Sequence, residues 1–296
     1  MNKALKNPTV FILFVLPAVI LFLMFFIYPI FSSLYFSFTS WNGVAKLDKI
    51  KYIGFDNFTK ALGQDRFWVA VKNNVYFILF SVFLQVPVIV IFSLLIAHVK
   101  KLKGLYKTAI FLPSIMSTAV IGILWGFIYE PDIGLLNKIL SFFGVGKIYW
   151  LSDNTYAMLS ILITNAWQWT GYYIIMVLAA ILSIPKELEE AAAIDGATAY
   201  QRAIRIVLPL ITPIISVVVM LSIAGAMKAA DIVIVMTNGG PAGSTEVMAT
   251  YMIRYAITSF KYGYGNSIAV LIFIFTLIVT LIYQLLVARR NERIEY

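Results

Sequence analysis

The sequence contains no cysteine and a single histidine, His98, among its 296 residues. Disulfide scaffolds, thiolate catalysis and cysteine-bearing metal sites are thereby excluded, and little other metal chemistry remains. Charge is scarce as well: Asp, Glu, Lys and Arg make up 12% of the chain, against about 25% in soluble domains. That density cannot coat a water-facing surface around a chain that is 61% hydrophobic, so the composition describes a membrane protein and not a pair of soluble domains. Basic residues outnumber acidic ones 23 to 14. They sit between apolar runs instead of along one face, which marks membrane topology rather than nucleic-acid binding. Also missing are a phosphate-binding loop, since Gly146-Lys147 is followed by Ile148 and not by Ser or Thr, a zinc-protease helix, a glycine-framed nucleophilic serine and a paired-carboxylate motif. The chain is expected not to be an enzyme and to bind no cofactor or metal of its own.

What is abundant is long apolar runs. Crossing the hydrocarbon core takes about 20 apolar residues, and six windows qualify, at about 10–31, 69–99, 108–129, 156–182, 208–236 and 266–287. The first follows Lys3 and Lys6 but is too long for a signal peptide and lacks a small-residue cleavage site, so it reads as an uncleaved span. Pro87 predicts a kink in the second. The fold class expected is an all-α membrane protein of six transmembrane helices in one domain covering 1–296. Lysine and arginine are retained on the cytoplasmic side. Lys100, Lys101, Lys103 and Lys107 crowd the link between spans two and three, Arg289, Arg290 and Arg293 follow span six, and Lys3 and Lys6 precede span one, which places both termini in the cytoplasm. Lys46, Lys49 and Lys51 lie in a longer link, which obeys the rule weakly and is placed outside. Trp41, Tyr52, Trp68, Tyr149 and Trp150 then fall near outer span ends, as an interfacial aromatic belt requires.

Alternation of sides puts the stretch 183–207 in the cytoplasm, and it carries the marks of two short helices. Pro185 with Glu187, Glu189 and Glu190 opens the first, because proline suits the first turn and carboxylates suit the positive end of the helix dipole. Ala191, Ala192 and Ala193 favour helix. Asp195-Gly196 stops it, glycine taking the left-handed cap. Thr198 with Gln201 is a capping box that starts the second helix at once, and Pro209 and Pro213 are expected to end or bend that helix where span five begins.

The run Glu190-Ala191-Ala192-x-x-Asp195-Gly196-Ala197, followed by Ile206-x-Leu208-Pro209 and Pro213, resembles the EAA loop of ABC importer permeases. An aromatic residue is common in that family where this chain has Ala203. Several further elements resemble the carbohydrate branch of these permeases, in particular the first membrane subunit of maltose, glycerol-phosphate and oligosaccharide importers. They are Gly54-Phe55-Asp56-Asn57-Phe58, Leu112-Pro113 with Trp125, Gly134-Leu135-Leu136-Asn137, and the outer-loop motif Thr237-Asn238-Gly239-Gly240-Pro241 with Thr245 and Tyr251. Together they cover nearly the whole chain. The resemblance implies a bacterial inner-membrane permease subunit of an ATP-driven, binding-protein-dependent sugar or oligosaccharide importer. Its implied partners are a second, homologous permease, a cytoplasmic ATPase dimer that holds the ATP and Mg, and an extracytoplasmic solute-binding protein. Glu190, Ala191, Ala192, Asp195, Gly196 and Ala197 would couple the chain to the ATPase. An importer permease for a non-sugar solute and a nucleotide-independent secondary carrier are the competing readings.

Polar groups inside a membrane span are costly and default to functional candidates. In span four Asn165, Gln168, Trp169 and Tyr172 recur at i, i+3, i+4 and i+7, one helical face. Amides that donate and accept, beside rings that stack on C–H faces, suit a polyhydroxylated ligand; amide bonding between helices is the alternative. Toward the outer end of span five, Lys228 and Asp231 either pair with each other or face the pathway. Gly122 and Gly126 form a GxxxG pair that permits close helix approach, and His98 reads as an interfacial or capping residue.

Overall fold

The computed structural model describes residues 8–46, 48, 50–99 and 101–291. Lys3, Lys6, Lys49, Lys100 and Arg293 lie outside the described residues, as do the side chains of Arg289 and Arg290. Among the described residues there is no β-strand; an isolated bridge joins Thr39 to Tyr52. In hydrocarbon every backbone N–H and C=O must be satisfied within the chain, and a helix is the local way to do so. Among the described residues four helices are long and apolar enough to cross a membrane: α1 (Thr9–Ser37), α3 (Asp65–His98), α9 (Ala199–Met227) and the described part of the last helix, Tyr262–Leu286. Two bent pairs bring the number to six if each is one span. These are α4 (Lys103–Ile115) with α5 (Thr118–Ile128), bent by 99°, and α7 (Ala157–Leu182) with α8 (Lys186–Ile194), bent by 67°. Shorter helices are α2 (Asp56–Leu62), α6 (Leu135–Phe142), α10 (Ala230–Met236) and α11 (Met248–Ile253); the last helix, α12, runs Tyr262–Asn291.

Three expectations change. The window 108–129 is not one straight helix but the pair α4 and α5. Span five ends at Met227 and not at 236, because Lys228 and Ala229 leave the helix before α10 starts. The second loop helix is not ended by Pro209 or Pro213; it is the beginning of α9. Proline is accommodated there by a wider turn. At 203–207 the helix is π-helical, and Leu208 N–H, just before Pro209, bonds Ala203 O. The same device precedes Pro29, where Tyr28 N–H bonds Leu23 O, and Pro87, where Val86 N–H bonds Ser81 O. Proline lacks an N–H and its ring crowds the carbonyl four residues back; widening one turn relieves that clash and lets the helix continue.

The chain forms two compact units. The first comprises the chain up to Gln64 with Met252–Phe273. In it the buried Asn57 donates from Nδ2 to Ser37 O and Thr39 O, both at 2.9 Å. Trp41 lies on Phe36 with ring centroids 4.3 Å apart and meets Tyr262 edge-on. A Cβ on Gly263 would stand 2.0 Å from Thr39 O, so only glycine allows this approach. The apolar window of α1 has no buried residue.

The second unit comprises Asp65–Tyr251 with the chain from Ile274 on, and α7 is its axis. One core joins Ile89 of α3, Ile174, Val177 and Leu178 of α7, and Ile211 and Val218 of α9. A second joins Phe77, Ile121, Ile161, Ile232 and Val233. Without a hydrophobic driving force between helices in lipid, close packing and small residues hold such a bundle. Gly171 of α7 meets the α4 backbone directly: a Cβ there would lie 1.8 Å from Ile110 O. Of the GxxxG pair, Gly122 packs on Val235, whereas Gly126 has open space beside it. His98 Nδ1 is 2.8 Å from Leu94 O in the last turn of α3, and Lys103 Nζ donates to Ala97 O at 3.0 Å, so both side chains close the end of that helix. The buried Asn137 ties the 131–150 segment by donating to Pro131 O and Ile148 O and accepting from Trp150 Nε1. Outside the spans Lys147 pairs with Asp132, which holds its ammonium above the usual lysine range.

Gly171→Ala forces α4 and α7 apart and should cost about 1–3 kcal/mol, the usual range for overpacking. Gly126→Ala serves as the near-neutral control. Thermal unfolding of the detergent-solubilised chain measures both; equal midpoints would contradict the backbone contact.

Candidate functional site

The second unit encloses a cavity of about 290 Å³ where α3, α5, α7, α9 and α10 meet. It sits at helix irregularities. Ser81 and Gln85 come from the π-helical turn before Pro87, Thr118 from the start of α5 after the sharp bend, and Lys228 and Ala229 from the break between α9 and α10. Broken or widened turns point side chains and backbone groups inward where a regular apolar helix would offer only methyl groups.

Four sequence-selected residues line it: Asn165, Trp169, Lys228 and Asp231. Lys228 and Asp231 make no ion pair with each other or with any other described residue. Both therefore present charge to the cavity side. Tyr172 does not line it; the residue is 40% exposed and its ring packs edge-on against Tyr173, which does. Gln168 does not line it either. It is 1% exposed, and its Nε2 donates to Met116 O and Thr118 Oγ1, both at 3.2 Å. The i, i+3, i+4, i+7 face is real, but a neighbouring helix covers one flank of it. Gln168 thus braces the 99° bend between α4 and α5. Ser117 adds an N-cap there, accepting from Ala119 N.

Sequence reasoning missed Ser81, Gln85, Thr118 and Ser222 on the cavity wall. Gln85 was legible as an amide inside an apolar window two residues before a proline. It is buried and donates to Ala166 O and Thr170 Oγ1 on α7. Missed too was the adjacent pair Asn73-Asn74 in α3. Asn73, also buried, donates to Ser244 O and Glu246 O at 2.7 and 2.8 Å. Asn74, fully buried, donates to Ala226 O and accepts from Met248 N. One asparagine thus holds the loop that follows Gly239, Gly240 and Pro241. The next reaches the carbonyl of Ala226, itself on the cavity wall. Within the loop, Thr245 Oγ1 bonds Gly240 O at 2.6 Å and lies 2.8 Å from Thr237 Oγ1.

The proposed coupling residues form one knuckle between α8 and α9. Gly196 has φ +84°; its N–H bonds Ala193 O, and Ala197 N–H bonds Ala192 O. That pair of bonds is a Schellman cap. Thr198 and Gln201 form the complete capping box. Glu190, Ala191 and Ala192 lie on α8, Asp195 is its C-cap residue, and Arg202 Nη1 donates to Ala197 O at 2.7 Å. The knuckle leaves Ile194 87% and Tyr200 74% exposed.

The second unit thus combines a cavity lined by polar and apolar side chains with a capped helix–turn–helix knuckle. The family of inner membrane components of binding-protein-dependent transport systems matches residues 61–292, and the chain belongs to that family. It is 32% identical to the probable ABC transporter permease protein YurN of Bacillus subtilis (strain 168), over 93% of this chain and 95% of that one. It is 30% identical to the trehalose/maltose transport system permease protein MalF of Thermococcus litoralis, over 92% and 91%. Among solved structures it resembles a chain of a bacterial ABC transporter involved in the import of the acidic polysaccharide alginate. The TM-score is 0.85 at 25% identity, covering 97% of this chain and 98% of that one. That transporter is also seen in complex with an alginate pentasaccharide-bound periplasmic protein.

Asn74→Ala leaves a buried carbonyl and a buried N–H without partners, at about 1–3 kcal/mol each. Gln168→Ala leaves Met116 O and Thr118 Oγ1 without their donor at the α4–α5 bend, whereas Asn165→Ala touches the cavity alone. Thermal unfolding should therefore fall for the first two and hold for the third; the reverse order would contradict the bracing role of the buried amides.

Proposed function

We propose that this chain is one of two permease subunits of an ATP-driven, binding-protein-dependent importer of a sugar or oligosaccharide, and forms half of its pathway. The bent pair α4–α5 counts as one span and α7 without α8 as another, giving six in a single permease domain in the bacterial cytoplasmic membrane. Both termini and the α8–α9 knuckle face the cytoplasm. The lysines of the α3–α4 link, Lys101, Lys103 and Lys107, support this orientation. The single observation that carries the reading is the knuckle. A Schellman-capped α8 and a capping-box start to α9 leave Ile194 and Tyr200 exposed, and exposed apolar side chains on such a projection suit a protein contact. A separate ATPase dimer, with its own ATP and Mg, is the partner assigned here.

The relatives named for trehalose and maltose and for alginate favour a carbohydrate, and the cavity suits one. Trp169 offers a ring for a sugar's C–H face. Asn165, Ser222, Lys228 and Asp231 offer donors and acceptors for hydroxyl groups. The motif Gly239-Gly240-Pro241 stands on the external side, where a solute-binding protein would dock. Because α9 is continuous from the knuckle to Met227, displacement at the knuckle reaches the cavity wall along one helix. The two permeases then alternate between outward-open and inward-open states.

Gly196→Val tests the coupling. No atom lies within 4 Å of a Cβ placed there, so the cost is that of the left-handed backbone alone, roughly 1–2 kcal/mol. Uptake in proteoliposomes containing both permeases and the ATPase should collapse while the chain still folds; normal uptake would remove the knuckle from the mechanism. Trp169→Ala or Asp231→Ala should raise the KM for solute at least several-fold with ATPase assembly intact. Uptake driven by an ion gradient without ATP would overturn the importer reading itself.

A further inference from the structure

The cavity where α3, α7, α9 and α10 meet has a mouth and a floor of different character. Its floor is made of buried, uncharged polar side chains from three helices: Ser81 and Gln85 of α3, Tyr173 of α7 and Ser222 of α9. Its mouth carries Lys228 and Asp231, both exposed, which among the described residues are the only charged groups on the wall. The two charges cancel, and neither forms an ion pair with a described residue.

The break between α9 and α10 explains how both charges stand without pairing. Lys228 is the C-cap residue of α9, at the negative end of that helix, and Asp231 lies in the first turn of α10, at its positive end. Each helix end stabilises the charge beside it, so neither side chain depends on the other. One cation and one anion, three residues apart, are thereby held at the same entrance.

A cleft lined by one sign of charge concentrates solutes of the opposite sign; this one favours neither. A carboxylate drawn toward Lys228 meets Asp231 three residues on, and an ammonium drawn toward Asp231 meets Lys228. Past the mouth, an ionic group would shed its water against hydroxyls and an amide, a loss that only an opposite charge offsets. Sugar hydroxyls meet no such penalty, because neutral hydroxyl and amide groups donate and accept in turn.

We infer that the cavity selects an uncharged saccharide, with Lys228 and Asp231 as a balanced pair that rejects acidic and amino sugars alike. The inference rests on the importer reading and narrows its substrate class.

The first test probes the cavity without its solute. In the assembled transporter, with the other subunits made free of cysteine, Asn165→Cys places a sole thiol on the cavity wall. Its modification by anionic and by cationic methanethiosulfonates is timed, each relative to a free thiol in solution, and a neutral reagent controls for folding. The two relative rates should agree within about twofold, whereas Asp231→Asn should raise the anionic-to-cationic ratio about tenfold and Lys228→Gln lower it about as much. Both shifts should shrink at high ionic strength. A strong bias with both charges in place, or a ratio that neither substitution moves, would overturn the inference.

The second test is equilibrium dialysis of the nucleotide-free transporter, with Asn165 intact, against di- to tetrasaccharides of glucose, galactose and mannose, each in neutral, uronate and amino-sugar form. The native protein should retain neutral forms, Asp231→Asn should gain uronates and Lys228→Gln should gain amino sugars. Retention of charged forms by the native protein as readily as neutral ones would overturn the inference and leave the importer reading intact. Retention of no saccharide in any form would instead overturn the sugar reading and this inference with it.

Discussion

A carbonyl or N–H left unpaired in hydrocarbon costs several kcal/mol, and this constraint governs the whole chain. Regular helix satisfies it automatically but offers no binding site, since a regular apolar helix shows lipid and neighbour the same aliphatic surface. A site requires breaks, and each break needs a donor from elsewhere. Here the donors are buried amides. Gln168 closes the bend after Met116, Asn74 closes the end of α9 at Ala226, Asn73 holds the loop at Ser244 and Glu246, and Asn57 holds the turn after Ser37. Where a break is not needed, as before Pro29, Pro87 and Pro209, a single wide turn keeps the helix whole.

The same logic explains why polar residues in these spans divide into two kinds. Asn165, Lys228 and Asp231 line the cavity and are available to a ligand. Gln168, Asn73 and Asn74 are committed to the backbone and give the cavity its shape. Sequence spacing alone cannot separate them, because Gln168 and Asn165 lie on the same face of α7 and differ only in which neighbour covers them. Their separation needs the 99° bend of α4 against α5, a tertiary fact.

Much of the fold was nonetheless legible. Long apolar windows located α3, α7 and α12 within a few residues and most of α1, and the turn of the α8–α9 knuckle was readable from Gly196 and the Thr198–Gln201 capping box, which are local chemistry, although its second helix runs on through Pro209 and Pro213. Hydropathy failed at α4–α5 because apolar residues continue through the bend, leaving only Ser117 as a cap signal. It overran the end of α9 because, Asp231 apart, Ala229 through Met236 is as apolar as what precedes it, while the break at Lys228 is fixed from a distance by Asn74. The cavity was half visible. The residues on α7 and at the α9–α10 break stood out as charge or amide in lipid, whereas Ser81, Thr118 and Ser222 carry no such contrast.

The coupling proposed for Gly196 is mechanical: a separate ATPase would grip the knuckle from the cytoplasmic side and turn its own motion into movement of the cavity wall. The natural absence of cysteine makes the most direct measurement clean. With Ile194→Cys as the sole thiol, a short bifunctional reagent applied to the intact transporter should join this position to the ATPase subunit, and the yield should change between nucleotide-free and ATP-bound states. Labelling of that introduced thiol by an impermeant reagent from outside the cell, or no crosslink to any subunit in either state, would contradict it.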